Sequence, residues 1–201
     1  MAHVCLIPHP LTLLFLFFLV ISPEKSFVLA IVSVDTKEQN SVDIIKQTCT
    51  TCAAKSTIIS YSFCLTSLQV IPVSHATNLQ GLAGIAMELA LKNATNTISS
   101  IVGLLSNASF DPFALACLGD CLELYSDGVV TLVDAIGALL TGQYSTANIW
   151  VSAVMEAATT CEEGLTMEGN VSPLTIENYN FFQLCDIALC IINWLSLHAN
   201  T

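Results

Sequence analysis

Between Asp111 and Gly142 the chain reads DPFALACLGDCLELYSDGVVTLVDAIGALLTG, and this stretch decides the fold. Asp111 is a good helix N-cap and Pro112 a good first helical residue, because the cap accepts a free N–H and proline has none to lose. Apolar residues then recur at Leu115, Leu118, Leu122, Tyr125, Val129, Leu132, Ile136 and Leu139. The steps alternate between three and four, which is the seam of a helix bundle. Gly142 supplies the stop. Such a seam needs other helices to cover it, and Cys121 offers a covalent tether to one of them. The stretch holds no nucleophile, metal cluster or phosphate loop, so it points to a scaffold that presents a surface.

The rest of the composition agrees. The chain has 201 residues, enough for one domain plus a processed leader, and 54% of them are apolar against 10% charged. Net charge is −11, with no arginine. Neutralising phosphates takes Lys and Arg, so nucleic acid is excluded as a partner and anionic lipid is disfavoured. A basic protein surface is the partner that electrostatics would favour.

The N-terminus reads as a secretory leader. Leu11 to Ile21 (LTLLFLFFLVI) has the length of a signal h-region and is short for a membrane span. Val28-Leu-Ala30 places compact residues at −3 and −1, so residues 1–30 are expected to be cleaved, with Ser33 as an alternative boundary. A signal anchor running on through Phe27 to Val34 is the competing reading, and Pro23, Glu24 and Lys25 interrupt it. No membrane association is expected once the leader is gone. The tripeptides at Asn93, Asn107 and Asn170 match the N-glycosylation acceptor, the last of them followed by Pro173. Of nine cysteines, Cys5 leaves with the leader, and an even set in a secreted chain implies disulfides.

Residues 31–41 read as a flexible lead-in, and 42–198 as one all-α domain. Its first part, 42–73, carries Cys49 and Cys64 around the polar stretch AAKSTIIS and reads as a helical hairpin closed by a disulfide. Its second part, 74–198, reads as an up-down-up-down four-helix bundle, because short connections make sequential helices antiparallel neighbours. The first bundle helix starts near Ser74 or Thr77 and runs to about Ser106. The third carries Ala147, Val151, Val154, Ala158, Cys161 and Leu165, with Cys161 facing inward. Ser172-Pro173 caps the fourth, whose stripe is Leu174, Phe181, Leu184, Ala188, Ile191 and Leu195. Cys117 and Cys121, one turn apart, each need a separate partner. Cys52, Cys185 and Cys190 are candidates, and the spacing does not choose among them.

Chemistry finds little support. Zinc ligation by Cys49, Cys52, Cys117 and Cys121 lacks a histidine or second CxxC at finger spacing, so no metal and no cofactor are expected. His75 reads as a solvated residue at a helix start, and His198 is the fourth residue counted back from the C-terminal end of the sequence. Glu162-Glu163 and the series Asp120, Glu123, Asp127, Asp134 read as solvated helix faces rather than a carboxylate pair across a cleft. The chain is not expected to be an enzyme.

Two segments carry a family resemblance. Cys121-Leu-Glu-Leu-Tyr125-Ser-Asp127 resembles the C-x-x-x-Y-x-D/x-A segment of plant invertase and pectin methylesterase inhibitors, with Gly128 where alanine is usual. Tyr144-Ser-Thr-Ala147-Asn-Ile-Trp150-Val-Ser152-Ala153 and the later Thr160-Cys161-Glu162 resemble the family's Y-x-x-A-x-x-W-x-S-A and T-C-E segments. The order of elements matches from about Ser41 to Leu197. HATNLQGL (His75 to Leu82) and NVSPLTIEN (Asn170 to Asn178) resemble the plane-tree pollen allergen type of invertase inhibitor within that family.

The resemblance implies disulfides Cys49–Cys64 and Cys121–Cys161, the second closing about 40 residues and contributing about 4 kcal/mol. Cys52, Cys117, Cys185 and Cys190 lie outside the family's usual four and are expected either to form two further bridges or to stay as a free thiol pair. The resemblance further implies a cofactor-free protein inhibitor of a cell-wall enzyme, found in the apoplast more than the vacuole. Pectin methylesterase inhibitors cover the substrate cleft with a bundle face. Cell-wall invertase inhibitors insert a Pro-Lys-Phe stretch, for which this chain has Tyr144, Ser145 and Thr146. Proline and cation are both missing there, which favours pectin methylesterase over acid invertase as partner and makes those three residues the candidate target-binding positions. A secreted carrier of apolar ligands is the alternative from a different class. It requires a cavity between the helices, whereas continuous seams favour a filled core.

Overall fold

In the computed structural model, residues 43–106, 110–167 and 171–198 are described. The expected leader (1–30), the lead-in (31–41), Asn107 and Asn170 lie outside these residues. The described chain is all-helical: α1 Ile44–Lys55, α2 Tyr61–Gln69, a 3-10 turn Pro72–Ala76, α3 Leu79–Leu105, α4 Pro112–Leu140, α5 Tyr144–Thr166 and α6 Thr175–His198.

The helix starts follow capping chemistry. The Asp43 carboxylate accepts from Ile45 N at 3.1 Å, and Ser60 Oγ accepts from Phe63 N at 3.4 Å. Asp111 Oδ1 accepts from the backbone N–H groups of Phe113 and Ala114, each at 2.9 Å, and Pro112 follows it at N1. Each cap satisfies donors that the first helical turn leaves free. The α4 stop is a Schellman motif. Gly142, at φ 75°, lets Gln143 N reach Ala138 O at 2.8 Å while its own N–H reaches Leu139 O at 3.0 Å.

Two boundaries differ from the sequence reading. The first bundle helix starts at Leu79, close to the Thr77 alternative and not at Ser74, because Asn78 Oδ1 takes Gly81 N at 2.9 Å while Ser74 and His75 belong to the 3-10 turn. The last helix begins at Thr175. Ser172 Oγ bonds Leu174 N at 3.1 Å, and Leu174 is fully buried just ahead of the helix.

Helices α3 to α6 pack as a closed ring, each against its chain neighbour and α6 back against α3. They run up and down. Gln80 Nε2 at the start of α3 donates to Leu139 O at the end of α4, and Asn148 near the start of α5 pairs with Asn193 near the end of α6. The α4 seam is rotated from the predicted one. Leu118, Tyr125, Leu132 and Leu139 are buried as expected, but Leu115, Leu122, Val129 and Ile136 are only half-buried. Small residues at Cys121, Gly128 and Ala135 fill the buried positions between them. Small side chains let α4 and α5 approach closely: a Cβ on Gly128 would lie 3.1 Å from Val154 Cγ1, and the Cα atoms of Cys121 and Cys161 are 5.0 Å apart.

The hairpin α1–α2 lies on the outside of α6. Cys52 is bridged to Cys190, Ser56 Oγ donates to Asp186 Oδ2 at 2.6 Å, and Ser60 N donates to the buried Gln183 Oε1 at 3.0 Å. Covered by the ring on one side and the hairpin on the other, α6 buries ten side chains from Asn178 to Ile192. By length and composition α6 is apolar enough to cross a membrane, but half of its most apolar window is inside the protein. Burial on two sides accounts for that composition.

Candidate target-binding surface

The start of α5 holds the three candidate residues. The α4 stop at Gly142 fixes the direction of the chain there, and Ala147 N closes the first turn onto Gln143 O at 3.0 Å. Tyr144 is half-buried and packs against the core, Ser145 is exposed and Thr146 half-buried. One turn on, Ile149 is 66% exposed and Trp150 36%. The structure brings these residues together as a short surface patch on the first two turns of α5.

Charge is distributed unevenly around the bundle. The five lysines are Lys25, Lys37, Lys46, Lys55 and Lys92, so α4, α5 and α6 contain no Lys or Arg. Asp120, Glu123, Asp127 and Asp134 are exposed along one face of α4, and Glu156 and Glu163 are exposed on α5. Among the described residues the ion pair is Lys46 Nζ to Asp43 Oδ2 at 3.6 Å, on the hairpin. The charge on the exterior of α4 and α5 is therefore all of one sign, interspersed with exposed apolar residues such as Val130, Val133 and Leu140 on α4 and Ile149 and Trp150 on α5.

Glu162 departs from the solvated face read for it. Its carboxylate is half-buried and accepts from Ser172 Oγ at 2.8 Å, Thr175 Oγ1 at 2.5 Å and Asn178 Nδ2 at 2.6 Å. Asn178 Oδ1 in turn accepts from the buried Tyr125 hydroxyl at 2.6 Å. Burial raises the Tyr125 phenol above its ordinary range, with nearby Cys185, Glu162 and Glu177 adding to the effect. This network ties α4, α5 and the start of α6 together, and its donors occupy the carboxylate. It is a structural clamp rather than an acid–base pair. Beside it, Ala158, Thr159, Tyr179 and Phe182 line an open groove of about 240 Å³ between α5 and α6. The sequence signal for the clamp was the Thr160-Cys161-Glu162 segment, which spacing alone could not link to Asn178.

The cysteines form three bridges: Cys49–Cys64, Cys121–Cys161 and Cys52–Cys190. Of the four additional cysteines, Cys117 and Cys185 are free, so the expectation of two further bridges is corrected to one. Cys117 Sγ lies 3.4 Å from Gly164 O, one turn beyond the Cys121–Cys161 bridge. Cys185 is fully buried in α6, and burial first, then Asp186, raises its thiol above the ordinary 9.0. The two sit on different helices and face different neighbours.

His75 is exposed, its ring 3.2 Å from Gln69 O, and the His198 ring is 2.7 Å from Trp194 O. Among the described residues no group of three or more His, Cys, Asp or Glu is placed to hold a metal. Asn93 lies in the middle of α3, half-buried.

These features define a disulfide-locked helical bundle whose charged residues on α4 and α5 are all acidic. The chain belongs to the plant invertase/pectin methylesterase inhibitor family, whose model matches residues 43–191. Members of this family inhibit enzymes and are not enzymes themselves. The chain is 36% identical to a "Putative invertase inhibitor" of Platanus acerifolia over 77% of this chain and 87% of that one. It is 33% identical to a "Pectinesterase inhibitor" of Actinidia deliciosa over 67% of this chain and 72% of that one. A crystal structure of a mutant form of a pectin methylesterase inhibitor from Arabidopsis superposes with a TM-score of 0.62 at 27% identity, covering 73% of this chain and 95% of that one.

Proposed function

We propose that this protein is a secreted inhibitor that binds and blocks a plant pectin methylesterase in the cell wall, in preference to acid invertase. The observation that carries the preference is the start of α5. Tyr144 packs against the core there, and neither Ser145 nor Thr146 supplies the proline and cation that invertase insertion requires. The Lys- and Arg-free exterior of α4 and α5 suits a basic target surface. The same proposal takes residues 1–30 as a cleaved leader, 31–41 as a lead-in and 42–198 as the inhibitor domain, with its hairpin at 42–73 and its bundle at 74–198. The groove between α5 and α6 is too small to enclose a lipid, which counts against the carrier alternative.

Acid invertase is the second reading, favoured by the 36% identity to a relative that carries that name. A paired titration separates the two. The oxidised chain from Ile31 onward is added to a plant pectin methylesterase and to an acid invertase, each assayed at wall pH. Stoichiometric loss of esterase activity alone is the expected result. Loss of invertase activity alone would reverse the assignment, and loss of neither would reduce the proposal to a fold.

A further inference from the structure

Asn93 begins an Asn-Ala-Thr acceptor on α3, and its side chain stands in the wall of a groove where the hairpin meets the bundle. The groove, about 300 Å³, is bordered by Phe63 and Val70 from the hairpin region, Leu89 and Asn96 from α3, and Asn180 from α6. Val70 is 70% exposed although it lines an apolar wall. Asn93 Oδ1 is 3.5 Å from Thr97 Oγ1. Among the described residues, no hydrogen bond engages Asn93 Nδ2, the Asn96 amide or the Asn180 amide.

We propose that Asn93 carries an N-linked glycan and that this groove seats its first N-acetylglucosamine. The proposal rests on the secretion reading above. In the transfer, Asn93 Nδ2 bonds to the anomeric carbon of an oligosaccharide carried on a lipid diphosphate. The anomeric C–O bond to the diphosphate breaks, the lipid diphosphate leaves with the bonding pair, and the nitrogen gives up one proton to the transferase. Transfer takes place on the nascent chain, because the acceptor amide must be reached before α3 closes around it. Once α3 has folded, the sugar is held at the mouth of the groove. The C–H face of a pyranose matches an apolar wall of Phe63, Val70 and Leu89, while its acetamido and hydroxyl groups meet the unpaired amides of Asn96 and Asn180. The volume suits one sugar ring, at the small end of the range of about 300–1,000 Å³ for small-ligand sites. The rest of the glycan extends into solvent, and the seated ring covers the seam between hairpin and bundle.

The test uses the full chain expressed in a eukaryotic secretory host, with the medium and cells analysed by peptide mapping and intact mass. The expected result is a processed protein in the medium with hexosamine on the Asn93 peptide, lost in Asn93→Gln. A processed, secreted protein whose Asn93 peptide is bare would overturn this proposal and leave the secretion reading standing. An unprocessed intracellular chain without sugar would overturn both. Seating is read by trimming the glycan to a single N-acetylglucosamine with an endoglycosidase. The trimmed form should keep the Tm of the full glycoform, and Asn93→Gln should fall about 2–4 °C below it. Val70→Ser should lower the Tm of the trimmed form and leave that of the Asn93→Gln chain unchanged. Equal effects of Val70→Ser on both chains would show that the sugar does not occupy the groove.

Discussion

The Tyr125 hydroxyl and the Glu162 carboxylate meet through one amide, Asn178, whose two ends are both engaged at 2.6 Å. Tyr125→Phe keeps the edge-on contact with Phe181, at a centroid distance of 5.3 Å, but leaves Asn178 Oδ1 buried without its donor. A loss of about 1–2 kcal/mol in denaturant unfolding is expected, without loss of helix content. Gly128 is a second sensitive position. Gly128→Leu forces four added carbons past Val154 and should cost about 2 kcal/mol after its gain in helix propensity, and Val154→Ala in the same chain should recover part of it. Cys185 sets a pH limit. Its thiol is raised above 9.0 in the fold, so the folded chain keeps a proton that the unfolded chain releases. The stability linked to this proton is complete below about pH 9 and falls as pH rises, by about 1.4 kcal/mol per unit. Tyr125 adds the same behaviour above its ordinary 10.0. Urea midpoints taken from pH 7 to 10.5 should therefore begin to fall near pH 9, and Cys185→Ala should delay that onset by about one unit. None of these couplings was legible in the sequence, where Tyr125 read as packing and Glu162 as a solvated carboxylate.

Helix α6 shows how far periodicity reaches. Its predicted inner stripe, from Phe181 through Leu184, Ala188 and Ile191, is buried. Gln183, Cys185, Ile187, Leu189 and Ile192 are buried too, because the hairpin covers a second side. A hydrophobic pattern records which residues avoid water and does not say what covers them. The Cys52–Cys190 bridge secures this cover across 138 residues. In the chain-entropy treatment a loop of that length contributes about 5 kcal/mol. The double substitution Cys52→Ser, Cys190→Ser should therefore lower global stability by several kcal/mol. It should also speed amide exchange in α1 and α2 more than in α4 and α5, which keep the Cys121–Cys161 tether. Uniform acceleration over all six helices would mean that the hairpin is no separate unit of stability.

Across the bundle, negative charge on α4 and α5 has no Lys or Arg on α4–α6 to balance it, so binding to a basic enzyme should be steered electrostatically. Inhibition should weaken as salt rises from about 0.05 to 0.5 M, chiefly through slower association. The pair Asp127→Lys, Asp134→Lys should reduce affinity at low salt and flatten that dependence, measured by inhibition titrations at both salt levels. An unchanged affinity at low salt would move the contact to another face. The all-α class and the order of four helices around the bundle were in the sequence. Alternating three- and four-residue steps, the Asp111-Pro112 start and the Gly142 stop depend on neighbours along the chain, and local chemistry decides them. The rotation of α4 toward its small residues, the choice of Cys190 as the partner of Cys52, the clamp on Glu162 and the groove beside Asn93 waited for the tertiary structure. Each joins residues far apart in sequence, so each depends on how closely two helices approach and which side chains the third dimension brings within reach.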